Sequence, residues 1–146
     1  MQEQFVYQWM TSNPLTVTPQ TSIPQAHTIL RQNKIRRLPV LQNNHLVGII
    51  TLGDLRNAEP SDLTTLSQWE IDQIMHDIIV GDTMTPDPMV IHADDTVGQA
   101  ALTMLTYKIG GLPVVNDQNE LVGIITESDI FRVVIDTWPV NAKVEE

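Results

Sequence analysis

The chain repeats itself. Gly48-Ile49-Ile50-Thr51-Leu52-Gly53-Asp54 returns as Gly123-Ile124-Ile125-Thr126-Glu127-Ser128-Asp129. Upstream, Met10-Thr11 answers to Met84-Thr85, Pro14 to Pro88, Gln25-Ala26 to Gln99-Ala100 and Lys34-Ile35 to Lys108-Ile109. Leu38-Pro39-Val40 answers to Leu112-Pro113-Val114. The offset is 74 residues at first and 75 after a one-residue insertion near Glu120. From Met10 to Leu55, 17 of 46 aligned positions are identical. A duplication of this kind dictates two copies of one small supersecondary unit. At 146 residues in total, each copy alone has little core, so the two are expected to share buried surface.

Each copy reads β-α-β-β-α. Short strands are expected at Leu15-Thr16-Val17 and Met89-Val90-Ile91. A helix follows, capped in the first copy by Ser22 with Pro24 in its first turn. Ile23, Ala26 and Leu30 share one face of it; Val97, Ala100, Ala101, Met104 and Leu105 form a broader stripe in the second copy. Leu38–Leu41 and Leu46–Ile50 flank a polar turn at Gln42-Asn43-Asn44, a hairpin pattern matched by Asn116-Asp117-Gln118-Asn119. Pro39 and Pro113 donate no hydrogen bond, which places them at a strand start or edge. A second helix is expected near Asp54 and Asp129. Ser67-Gln68-Trp69-Glu70 opens a further helix with Ile71, Ile74, Met75 and Ile78 on its apolar face. The organisation expected is a first repeat with an N-terminal helix over 1–56, a helical connector over 57–79, a second repeat over 80–138 and a polar tail over 139–146. Met10 and Met84 are expected as core plugs, and Trp69 and Trp138 as packing anchors.

Composition narrows function. A net charge of −10 argues against nucleic acid, whose binding rests on neutralising phosphates. Four of the eight basic residues nevertheless cluster at Arg31, Lys34, Arg36 and Arg37. Such an island suits a small anion, or a solvated helix end. No apolar run is long enough to span a bilayer, and no secretory signal pattern is present. Without cysteine there is neither a disulfide nor a thiolate metal site. A cytoplasmic location is the expectation. His27, His45, His76 and His92 lack the spacing of a metal site, and there is no Gly-rich phosphate loop, Ser elbow or Cys/His pair. No catalysis and no metal are expected.

Three elements recur in order in both copies: Met-Thr-x-x-Pro, Ile-x-x-Leu-Pro-Val and Gly-Ile-Ile-Thr-x-x-Asp. Together they resemble the CBS (cystathionine β-synthase) domain, present as a tandem pair over residues 6–136. Leu66–Glu70 is similar to the connector of free-standing bacterial CBS pairs. The resemblance implies an α/β (α+β) fold of two β-α-β-β-α repeats related by pseudo-twofold symmetry. It also implies a regulatory module that binds an adenosine-containing nucleotide (AMP, ADP or ATP) in clefts between repeats, as in cellular energy sensing.

Carried over by position, Thr51, Asp54, Thr126 and Asp129 would hold ribose and proximal phosphate, with Ser128 a nearby hydroxyl. Arg36 and Arg37 would clamp phosphate. Thr16 and Val90 lie on the strands lining the base slot, and His92 beside the second cleft. Gly110 and Gly111 stand where the arginines were, with Lys108 nearby, so the second copy has less capacity for an anion. The chemistry agrees: a carboxylate accepts from vicinal hydroxyls, and guanidinium forks match phosphate oxygens. Thr-x-x-Asp also reads as a helix capping box, and Gly110-Gly111 as a simple turn or as room for a flat base.

No obligatory cofactor is implied. The partners implied are an adenine nucleotide, a second copy in a homodimer with Ile130, Phe131, Val134 and Ile135 in the contact, and a separate effector protein; membrane and nucleic acid are not. The competing reading is an interaction or dimerisation scaffold whose clefts are empty or vestigial.

Overall fold

The computed structural model describes residues 3–58 and 66–141. The fold is mixed α+β, with seven helices and two sheets among the described residues. The chain divides into two compact units, one of Pro14–Pro88 and one of Met1–Asn13 with Met89–Glu146.

In the unit of Pro14–Pro88, Ser22 caps α2 (Ile23–Asn33) by accepting from Gln25 N–H, and Pro24 sits in the first turn. Strands β2 (Arg37–Gln42) and β3 (His45–Thr51) form a hairpin. Its turn residues Asn43 and Asn44 both have positive φ, the conformation a two-residue turn needs to match strand twist. α3 (Leu52–Asn57) follows directly. After it come α4 (Gln68–His76), α5 (Val80–Thr83) and β4 (Thr85–Pro86), the last pairing with β3. The core holds Ile23, Ala26, Leu30, Leu38, Val40, Ile50 and Val80. Full burial of the valine, leucine and isoleucine side chains among them contributes about 1.5–3 kcal/mol each.

The second unit repeats this plan. β5 (Ile91–His92), α6 (Val97–Tyr107), β6 (Gly111–Val115), β7 (Leu121–Thr126) and α7 (Glu127–Thr137) follow in the same order. α1 (Val6–Trp9) and β1 (Thr11–Ser12) complete it, with β1 pairing with β7 to give the order β1-β7-β6-β5. Val6 is fully buried in this core, and Val6 N–H donates to the Asp95 carbonyl. The N-terminal stretch, grouped by sequence with the first repeat, thus packs on the second repeat's sheet. α5 and β4 occupy the matching place in the first.

The reason lies in a methionine–glycine pair. A Cβ on Gly48 would stand 2.5 Å from the Met84 sulfur, and Gly123 meets Met10 in the same way. Each methionine thus plugs a glycine on the last strand of the other repeat: Met10, ahead of the first repeat, on β7, and Met84, at the start of the second, on β3.

Several expectations need correcting. The first strand of each repeat is shorter than its apolar run. Val17 alone bridges to Val40, and β5 begins only at Ile91. Val17 N–H donates to the Pro39 carbonyl and Leu41 N–H to the Val17 carbonyl. The next rung would run from position 39 to the Leu15 carbonyl, and proline has no N–H to give. Pro113 stands at the same place in β6, so the prolines mark where the ladder starts. Trp69 and Trp138 are 69% and 59% exposed, too little covered among the described residues to serve as packing anchors. Leu105, expected on the buried stripe of α6, is 79% exposed, whereas Val97, Ala100 and Met104 are buried. Most of the expected tail lies outside the described residues.

Candidate functional site

In each unit the hairpin's last strand runs straight into a helix, and Thr-x-x-Asp makes the corner. Thr51 is the N-cap of α3. Its Oγ1 accepts from Asp54 N–H at 3.1 Å, and Asp54 Oδ2 accepts from Thr51 N–H at 2.9 Å. This reciprocal box satisfies two N–H groups the helix cannot bond itself. Asp54 Oδ1 has no partner among the described residues. Arg37 faces Thr51 across the hairpin, and Leu52 N–H donates to the Arg36 carbonyl at 2.8 Å. Arg36, Arg37, Thr51 and Asp54 therefore share one end of the sheet. Thr16, exposed, precedes Val17 on the neighbouring row. The missing Pro39 rung leaves the Leu15 carbonyl without a donor from β2 at that position.

The second unit builds the same corner differently. Gly111 faces Thr126, and Glu127 N–H donates to the Gly110 carbonyl at 3.1 Å. Asp129 Oδ2 accepts from Thr126 N–H at 2.8 Å and lies 3.3 Å from Thr126 Oγ1. Asp129 Oδ1 is held by Arg132 Nη1 at 2.6 Å. Asp129 is only 4% exposed, whereas Asp54 is half-buried. The position matching Arg132 in the first repeat is Asn57. Sequence reading passed over Arg132, although acid and base three apart on a helix are neighbours on its surface. Val90 precedes Ile91 at this end, and Ser128 is exposed in the first turn of α7.

Of the two remaining residues, His92 stands apart from the corner. His92 pairs with Val115, at the opposite end of β6 from Gly111, and its N–H donates to Asp95 Oδ2 at 3.0 Å. Lys108 caps the C-terminus of α6 in the left-handed conformation. It lines a hollow of about 420 Å³ between α6 and α7 with Glu127, Ala101, Met104, Leu105, Ile130 and Phe131. Among the described residues no group of three or more His, Asp or Glu is placed to hold a metal. No described helix is long and apolar enough to cross a membrane.

The CBS domain family model matches residues 6–61 and 80–136, and the chain belongs to that family. It is 35% identical over 117 residues to inosine-5′-monophosphate dehydrogenase of Korarchaeum cryptofilum, covering 80% of this chain and 21% of that protein. The chain thus spans about a fifth of that relative's length. Among solved structures, CBSX2 in complex with AMP (the Arabidopsis thaliana protein) is 33% identical with a TM-score of 0.75, over 91% of this chain and 97% of that one. The CBS domain pair of protein MJ0100, in complex with 5′-methylthioadenosine and S-adenosyl-L-methionine, is 30% identical with a TM-score of 0.76 and the same coverage.

Proposed function

We propose that this chain is a regulatory module that binds an adenosine-containing compound and carries out no reaction itself, with an adenine nucleotide as the first ligand of choice. The observation that carries this reading is the corner at Thr51 and Asp54. The capping box fixes the carboxylate through one oxygen and leaves the other to accept from vicinal ribose hydroxyls. Arg36 and Arg37 sit at the same strand end, where guanidinium forks would meet phosphate oxygens. The Leu15 carbonyl, left without the Pro39 rung, offers an acceptor to the edge of a base. Solved relatives that hold AMP, 5′-methylthioadenosine or S-adenosyl-L-methionine support the adenosine part.

Binding would act on whatever equilibrium distinguishes the liganded form, by the difference in its affinity for two states. The output reaches a separate effector protein or a second copy of the chain in a cytoplasmic setting. Calorimetric titration with AMP, ADP and ATP tests the proposal. Saturable binding that weakens at least tenfold in Asp54→Ala, and loses its preference for phosphate in Arg36→Ala with Arg37→Ala, is the expected result. At a hundred times its dissociation constant a ligand adds ~2.7 kcal/mol of stability, which a thermal scan would register. No heat and no melting shift with any adenosine compound would leave the scaffold reading in its place. That second reading is favoured by the apolar side chains α7 exposes, Phe131 and Ile135 at 62% each.

A further inference from the structure

The two strand ends share the Thr-x-x-Asp corner but not the same charge. Resting on the adenosine-binding reading above, we infer that they select different ligands: the first an adenosine phosphate, the second an adenosine compound without phosphate, such as a 5′-thioether.

The first end has Arg36 and Arg37 where β2 begins, and an Asp54 carboxylate with one oxygen uncommitted among the described residues. The second end has Gly110 and Gly111 at the matching positions. The cation beside its carboxylate is Arg132, whose guanidinium lies 2.6 Å from Asp129 Oδ1. That charge is already matched by a carboxylate only 4% exposed. A phosphate drawing Arg132 away would set its own negative charge beside the Asp129 carboxylate, and the two anions repel. Lys108 does not set the two ends apart, since Lys34 stands at the matching place in the first repeat and caps its helix in the same left-handed conformation.

The pair leaves ribose recognition in part: Asp129 Oδ2 accepts twice from Thr126 and Oδ1 once from Arg132, so one lone pair on Oδ1 remains for a ribose hydroxyl. What the second end lacks is a charge-assisted phosphate contact, a difference of about tenfold to a hundredfold in affinity.

Titrations of the full chain with AMP and with 5′-methylthioadenosine, separately and in competition, decide the matter. AMP should saturate at one equivalent per chain, and the thioether should still bind the AMP-saturated protein with its affinity unchanged. Arg36→Ala combined with Arg37→Ala should weaken AMP at least tenfold and leave the thioether untouched. Gly110→Arg should admit a second equivalent of AMP, with an unliganded melt confirming that the variant folds; if it does not fold, the arginine double variant carries the test. The inference is overturned if AMP fills two equal sites, if AMP and the thioether compete for one, or if a folded Gly110→Arg still takes a single AMP. In those three cases the adenosine reading survives, whereas binding of neither compound removes both.

Discussion

At Thr51 and Thr126 one residue type performs two tasks. Each opens a helix and fixes an aspartate three residues on, so the cap that stabilises the fold also orients the carboxylate. Thr51→Ala removes the Oγ1 acceptor for Asp54 N–H and should cost about 1 kcal/mol of stability, read from chemical denaturation. A loss near zero would show that the box is not formed in solution. Asp129 is the more constrained of the two carboxylates. Arg132→Ala leaves it buried without its cation, but Arg132 is itself 65% exposed, so water takes up part of the loss. The expected destabilisation is about 1 kcal/mol, and it should shrink at high salt. A variant as stable as the parent at low salt would mean that the ion pair contributes nothing.

At the scale of elements, the repeated hairpin depends on two glycines that no turn requires. Gly48 and Gly123 lie within β3 and β7, and their missing side chains make room for Met84 and Met10. Alanine at either position forces the methionine sulfur, and a backbone carbonyl about as close behind it, to move. Gly48→Ala and Gly123→Ala should each cost about 1–3 kcal/mol, the range for overpacking a core. A second substitution that shortens the methionine in the same repeat unit should recover part of that loss, which separates crowding from an intrinsic effect of alanine. Pro39 and Pro113 act on elements too. Without an N–H they set where the parallel ladder starts, so the strand before α2 or α6 shrinks to its last residue or two.

At the scale of the whole chain, neither compact unit is one of the sequence repeats taken from its own start. A chain of residues 1–79 would keep α1 and β1 without β7 to pair with, and would lose Val80, Met84 and β4 from its own core. Residues 14–88 keep that core whole. The shorter-cored piece should therefore melt without a cooperative transition and the other with one, by circular dichroism. Equal melting of both would contradict the exchange of N-terminal segments. Phe131, Ile135 and Trp138 expose large apolar surface on and after α7. Sedimentation at micromolar concentration should find a dimer, and a strictly monomeric species would reject pairing through that helix.

The duplication, the hairpins, the helix caps and the Thr-x-x-Asp corners were legible in the sequence because each rests on residues close together along the chain. Thr51 meets Asp54, and Asn43 meets Asn44, whatever the rest of the molecule does. Tertiary structure alone decided which sheet each methionine plugs, that Lys108 turns to the α6–α7 hollow, and that His92 lies at the far end of β6. Those outcomes depend on contacts between segments many residues apart, and two near-identical repeats offer each segment two nearly equal hosts. Local pattern cannot choose between such hosts; the burial of Val6 and the fit of Met10 over Gly123 do.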